Sequence, residues 1–192
     1  MFGGISTKRT CSGCGVTYFW NQDLEWDPFA VALPECFDEY KKLLVYQDNR
    51  FGVLPLRRLV VDAYAAQHPP CLEIQIFLGI NRDLRAESVQ NMPIYLLSLF
   101  LAFEKNMEHE RIPLEVQNVK LNIIRRKTEF LDLKKPTMKY ELCMYDLWDI
   151  VKDTRLSREE YTYLMLRFAE KTWDSWYEYH AFIKKVYLTH KN

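Results

Sequence analysis

The sequence predicts a mainly α fold, a helical bundle with a zinc-knuckle-like loop packed on it at the N-terminal end. Three observations predict it. Apolar residues recur at spacings of three and four along much of the chain. Proline and glycine positions such as Gly52, Pro55, Pro69 and Pro70 divide that pattern into segments of helical length. The stretch Cys11–Ser12–Gly13–Cys14–Gly15 sets two thiols two residues apart in a turn, where both can face one ion.

The 192 residues suit one domain, read as a metal knuckle and aromatic lid over 1–35 and a helical core over 36–192. Hydrophobic residues make up 48% and aromatics 15%, enough for a sizeable core. The 26 basic and 26 acidic side chains cancel, so no global field draws in nucleic acid or an anionic surface. The short cluster Arg125–Arg126–Lys127 reads as a solvated patch. No window approaches the roughly 20 apolar residues that a membrane span requires, and residues 1–10 hold no apolar signal segment, so a cytoplasmic protein without membrane contact is expected. Five cysteines, an odd number, favour metal binding or free thiols over a disulfide framework in a reducing compartment. Cys71 and Cys143 stand in apolar surroundings and read as buried spectators.

In order along the chain, Gly13 and Gly15 permit the tight turn that aims Cys11 and Cys14, and structural zinc is favoured over a redox pair because no thioredoxin-like strand-to-helix pattern surrounds them. Cys36, at the mouth of the next helical segment, is the nearest third ligand, and the fourth is open. Residues 16–34 are aromatic and turn-rich and read as an irregular lid. Phe37, Tyr40, Leu43 and Leu44 mark a short amphipathic helix over 36–46, broken by 48–52. The central helix, 55–68, surrounds Asp62, Tyr64 and Gln67 with apolar helix formers, so these three lie inside and need partners. Pro69 and Pro70 stop that helix and leave His68 at its C-terminus, a place for a metal ligand or for a cap.

Residues 71–80 alternate too imperfectly to be assigned as a strand. Residues 86–107 form a helix buried on most sides, with Pro93 in its first turn or at a kink. Val116 to Ile124 alternates and suits a short strand or irregular edge, and 130–136 is a surface loop. Residues 145–151 form a short helix, and Ser157–Arg158–Glu159–Glu160 is a capping box opening the longest helical stretch, toward Tyr187. On it Trp173, Trp176, Tyr177, His180 and Ile183 share a face, which puts an imidazole in an aromatic stripe, where it bonds to backbone or to Asp62 or else serves as the fourth metal ligand in place of His68.

Cys11–Ser12–Gly13–Cys14–Gly15, Pro34–Glu35–Cys36–Phe37, the run Val61–Asp62–Ala63–Tyr64–Ala65–Ala66–Gln67–His68–Pro69, Ser88–Val89–Gln90 before Leu96–Leu97, and Trp173 to His180 come in the order of one known pattern. Taken together they resemble a family of uncharacterised bacterial proteins, a domain of unknown function, over most of the chain. The resemblance implies an architecture and a candidate site, and no activity. It brings forward Cys11, Cys14, Cys36, Asp62, Gln67, His68, Trp176 and His180 as the site or its supports. This chain departs from the pattern at Arg57, where the family commonly carries histidine, and at Pro70, where it carries glycine.

Two functions follow. In the first, Cys11, Cys14, Cys36 and His68 close a zinc site with no open position, and the chain is a binding module for a protein partner. In the second, histidines and Asp62 assemble a metal-dependent hydrolase-like site between the central and C-terminal helices, with Asp62 and His180 as catalytic candidates. A reversible Cys11–Cys14 disulfide is the third reading, and a nucleic-acid role has little support.

Overall fold

The computed structural model describes residues 7–26, 32–69, 82–128, 133–136 and 139–191, without the side chains of 82–90. The unassigned stretch 71–80 and the spectator thiol Cys71 lie outside the described residues. Seven α-helices and one two-stranded sheet make up the described residues, so the chain is mainly α. The sheet pairs β1 (Lys8–Thr10) with β2 (Thr17–Phe19), antiparallel, with Arg9 opposite Tyr18. The expected irregular lid therefore begins as a hairpin. Its strands are only three residues long, too short for period-2 alternation to show in the sequence.

Helix α1 (Pro34–Phe51) starts on a proline suited to the first turn and runs past the expected break at 48–52. It ends at Gly52, whose φ of 72° favours glycine. Helix α2 (Arg57–Gln67) is the expected central helix, closed at His68. Helix α3 (Arg82–Phe103) carries Pro93 inside it. Its second half buries Met92, Ile94, Leu96, Leu97, Leu99, Phe100 and Leu101, because it packs against α2, α4 (Ile112–Arg125), α6 (Arg158–Ser175) and α7 (His180–His190). Helix α5 (Met144–Lys152) lies on α1, and α2 also packs on α6.

Two expectations change here. Val116 to Ile124 is not a strand but most of α4, which buries Ile112, Val116, Val119 and Ile123 at spacings of four, three and four. Leu114, Leu121 and Ile124 stand exposed and blurred that period. The long C-terminal stretch is two helices rather than one. Its capping box forms as read, with Glu160 N–H donating to Ser157 Oγ at 3.1 Å and Ser157 N–H to Glu160 at 2.8 Å. The helix nonetheless ends at Trp176, and a 3₁₀ turn over Tyr177–Tyr179 leads into α7. Trp176 is fully buried while Tyr177 is exposed, so the expected aromatic face is split.

The buried residues form one cluster reaching from Cys11 to Val186. Leu97 is fully buried at its centre. Replacing it with alanine is expected to cost about 2–5 kcal/mol, read as a lowered urea midpoint with an unchanged slope.

Candidate metal centre

Three separate elements bring the site together. Cys11 and Cys14 come from the hairpin turn, where Gly15 N–H donates to Cys11 O at 2.9 Å and Cys11 N–H to Val16 O at 2.7 Å. Gly15, at φ 84°, makes that turn possible. Gly13 serves differently from its expected role as a turn residue. A Cβ there would fall on the His68 ring, 2.8 Å from Cγ and closer still to Cδ2, and about 3.0 Å from Gln67 O. Hydrogen alone lets the knuckle lie on the end of α2. Cys36 stands in the first turn of α1, where the helix dipole favours a thiolate. His68 is the residue that closes α2.

The ligand atoms of Cys11, Cys14, Cys36 and His68 all lie within 4.8 Å of one another, all four residues are buried, and together they can hold one metal ion. Cys14 and Cys36 sulfurs are 3.8 Å apart, beyond any disulfide. With metal–sulfur bonds of about 2.3 Å, a tetrahedral centre sets its sulfurs about 3.8 Å apart. Cys36 Sγ lies 3.2 Å from His68 Nε2. The other ring nitrogen, Nδ1, donates to Tyr64 O at 2.8 Å, because a carbonyl can only accept. That bond leaves the Nε2 lone pair facing the thiols, as a ligand needs. Tyr64 packs against the His68 ring at 4.3 Å, tilted by 40°, and stacks on Tyr40 of α1 at 4.0 Å, so the imidazole is backed by its own helix and the next.

The electrostatics of the group call for positive charge. Hydrogen bonds from Cys11 and Cys143 pull the Cys14 thiol far below the ordinary range, whereas bonding with Cys11 and Cys14 and burial push Cys36 up. Burial pulls His68 down, yet its bonds with the Cys11 and Cys14 sulfurs outweigh burial and push it up to about 10. A bound cation supplies that charge without the proton.

The remaining polar residues of α2 anchor it elsewhere. Gln67 Nε2 donates to Leu142 O at 2.7 Å and to Thr172 Oγ1 of α6 at 3.0 Å, and Tyr140 O–H donates to Ala66 O at 3.0 Å. Asp62 Oδ2 accepts from Arg58 Nε at 3.0 Å and from Ser98 Oγ of α3, while Oδ1 has no partner among the described residues. Asp62 is fully buried, and burial pushes its carboxyl up to about 6 against the pull of Arg58. His180 stands apart from the metal group. Its Nε2 donates to Trp173 O at 3.0 Å, a carbonyl that also accepts from Trp176 N–H at 2.9 Å, and its ring stacks on Trp173 at 3.7 Å. Its bond is thus to backbone, one of the partners the sequence left open, and not to Asp62 or the metal group.

Sequence reasoning missed Cys143. It is buried as expected, but its thiol donates to Cys14 O at 3.7 Å and is no spectator. The two cysteines are 129 residues apart, and no local pattern signals the approach. The lid is strapped down by Asn21 N–H on buried Glu35, and Lys135 Nζ donates to Ser12 O of the knuckle at 2.7 Å. Tyr18 O–H donates to Glu39 at 2.9 Å, and burial pushes that half-buried carboxyl up to about 7.

A sequence model of a family of unknown function, DUF5946, matches residues 9–177. No curated protein and no solved structure matches the chain.

Two variants test this geometry. Gly13→Ala is expected to weaken metal binding about 10- to 100-fold, by competition with a chromogenic chelator, with Ser12→Ala as an unaffected control. The Asp62 carboxyl is raised from its ordinary 3.8 to about 6, so the folded chain holds that proton more tightly than the unfolded chain. Its contribution to stability is greatest below about pH 4, falls as pH rises toward 6 and is level above. Relative to wild type, Asp62→Asn is therefore expected to gain on the order of 3 kcal/mol between pH 4 and pH 7 in urea unfolding.

Proposed function

We propose that this chain, which belongs to the family of unknown function DUF5946, is a zinc-stapled helical binding module acting on a protein partner. The observation that carries the reading is the convergence of Cys11, Cys14, Cys36 and His68 within 4.8 Å, all buried. Three thiolates and one imidazole are a donor set suited to zinc, and four protein ligands fill a tetrahedron. Such a site leaves no position for water or substrate, which favours binding over hydrolysis. The hydrolase alternative needs a free base at the metal, whereas Asp62 is engaged with Arg58 and Ser98, and His180 with Trp173. In this reading 1–192 is one cytoplasmic domain. Among the described residues no helix is long and apolar enough to cross a membrane.

The zinc would staple the hairpin and lid to α1 and α2, and the stapled lid carries the partner surface. Phe19 is 62% exposed and Trp26 42%. Trp20 lies 5.9 Å from Trp26, Arg9 sits over the Trp20 ring at 3.7 Å, and Lys8 over Phe19 at 4.9 Å. Aromatic and arginine side chains of this kind dominate binding energy at protein interfaces.

Elemental analysis is expected to find one zinc per chain in wild type and little in Cys14→Ser or His68→Ala. Chelation is expected to lower the melting temperature by on the order of 10 °C or more, since metal-binding energy becomes folding energy. A chelated, metal-free sample that melts like the holoprotein overturns the reading. Phe19→Ala with Trp26→Ala is expected to keep zinc and melting temperature while losing the partner bound by wild type.

A further inference from the structure

The metal group uses three of the four described cysteines and leaves Cys143 over. Its place in the fold does not call for sulfur. Cys143 precedes α5 at the N-cap, a position that serine or aspartate fills better, and a capping box closes that end, with Cys143 N–H donating to Asp146 Oδ2 at 2.8 Å and the Cys143 side chain facing the Asp146 N–H. What the sulfur does have is a neighbour and a route to solvent. It lies 3.7 Å from Cys14 O, and Cys14 and Cys143 both line a cavity of about 630 Å³ whose other walls include Lys135, Lys139, Glu141 and Asp146. Cys11 and Cys36, at 1% and 0% exposure, do not line that cavity, whereas Cys14, 8% exposed, does.

We propose that Cys14 and Cys143 are an oxidation site for small hydroperoxides: hydrogen peroxide entering this cavity joins them in a disulfide and takes one ligand from the metal centre. The Cys14 thiolate attacks one peroxide oxygen, the O–O bond breaks, hydroxide leaves, and Cys14 becomes a sulfenic acid. The Cys143 thiol sulfur attacks the Cys14 sulfur, the S–S bond forms, and the sulfenic oxygen leaves with the Cys143 proton as water. Two electrons pass from the two sulfurs to the peroxide. Cys11, Cys36 and His68 then hold the ion with three donors, and the lid loses part of its staple. A thiol reductant returns both cysteines and restores the fourth ligand.

Only the release of metal rests on the zinc reading above; the linkage does not. The test takes the full-length chain as purified, measures its zinc first, and treats it with a few-fold molar excess of hydrogen peroxide. Released zinc is followed with a chromogenic chelator, and disulfides are mapped by mass spectrometry of alkylated, non-reduced peptides. The expected result is a dominant Cys14–Cys143 linkage that forms with the same time course as zinc release, both reversed by dithiothreitol. Cys143→Ser, loaded with zinc, is expected to release it slower by on the order of tenfold. A dominant linkage of Cys14 to Cys11 or to Cys36, a Cys143 that stays alkylatable, or release from Cys143→Ser at the wild-type rate overturns the proposal. The linkage map in wild type needs no variant to fold, and it decides the proposal even where the initial zinc measurement fails the earlier reading.

Discussion

One imidazole, tied at both nitrogens, carries the arrangement of this molecule. Through Nδ1 it is fixed to the carbonyl of Tyr64 in its own helix, and through Nε2 it faces the sulfur of Cys36 in another. A buried imidazole with one nitrogen unsatisfied would cost more than it contributes, so the ring is stable only where both bonds are made. Meeting both conditions fixes the end of α2 against the start of α1. The hairpin then has one place to lie, with Gly13 flat against the ring and two sulfurs completing the group.

The same logic extends along α2. A helix with this much apolar surface needs no polar side chain to be buried, yet Asp62, Gln67 and His68 are buried and each binds a different part of the chain. Asp62 reaches α3, Gln67 reaches α6 and the segment before α5, and His68 reaches the knuckle. Apolar contacts alone tolerate rotation and sliding of a helix, because they are non-directional. Three directional contacts on three sides do not, so α2 has one rotation and one depth between its neighbours. The motif that drew attention in the sequence is therefore a set of positioning contacts, and only its last histidine belongs to the metal group.

That division bears on what the site can do. Four buried donors within 4.8 Å of one another, drawn from the hairpin and from α1 and the end of α2, can hold one metal ion. The side facing Lys135 and Lys139 differs, because there Cys14 borders a cavity and the Cys143 thiol lies against the Cys14 carbonyl.

Much of this was legible in order along the chain. The CxxCG spacing, a third cysteine at a helix mouth, a histidine fixed ahead of two prolines and the capping box at Ser157 are local signals, since each depends on residues within one or two turns of one another. The helical character of most segments was legible too, where the buried face was apolar and the exposed face polar. It failed for α4, whose exposed Leu114, Leu121 and Ile124 hid the period, and for the break at Trp176, where a 3₁₀ turn over Tyr177–Tyr179 interrupts a run whose apolar spacing continues. The sequence by itself determined which side chains had the chemistry to bind a metal and which helix buried polar groups. Only the tertiary structure decided that His68 rather than His180 meets the thiols, that Asp62 answers to Ser98, and that Cys143 lies against Cys14. Such pairings join residues separated by tens of positions, and their distances are set by how helices pack rather than by any spacing along the chain.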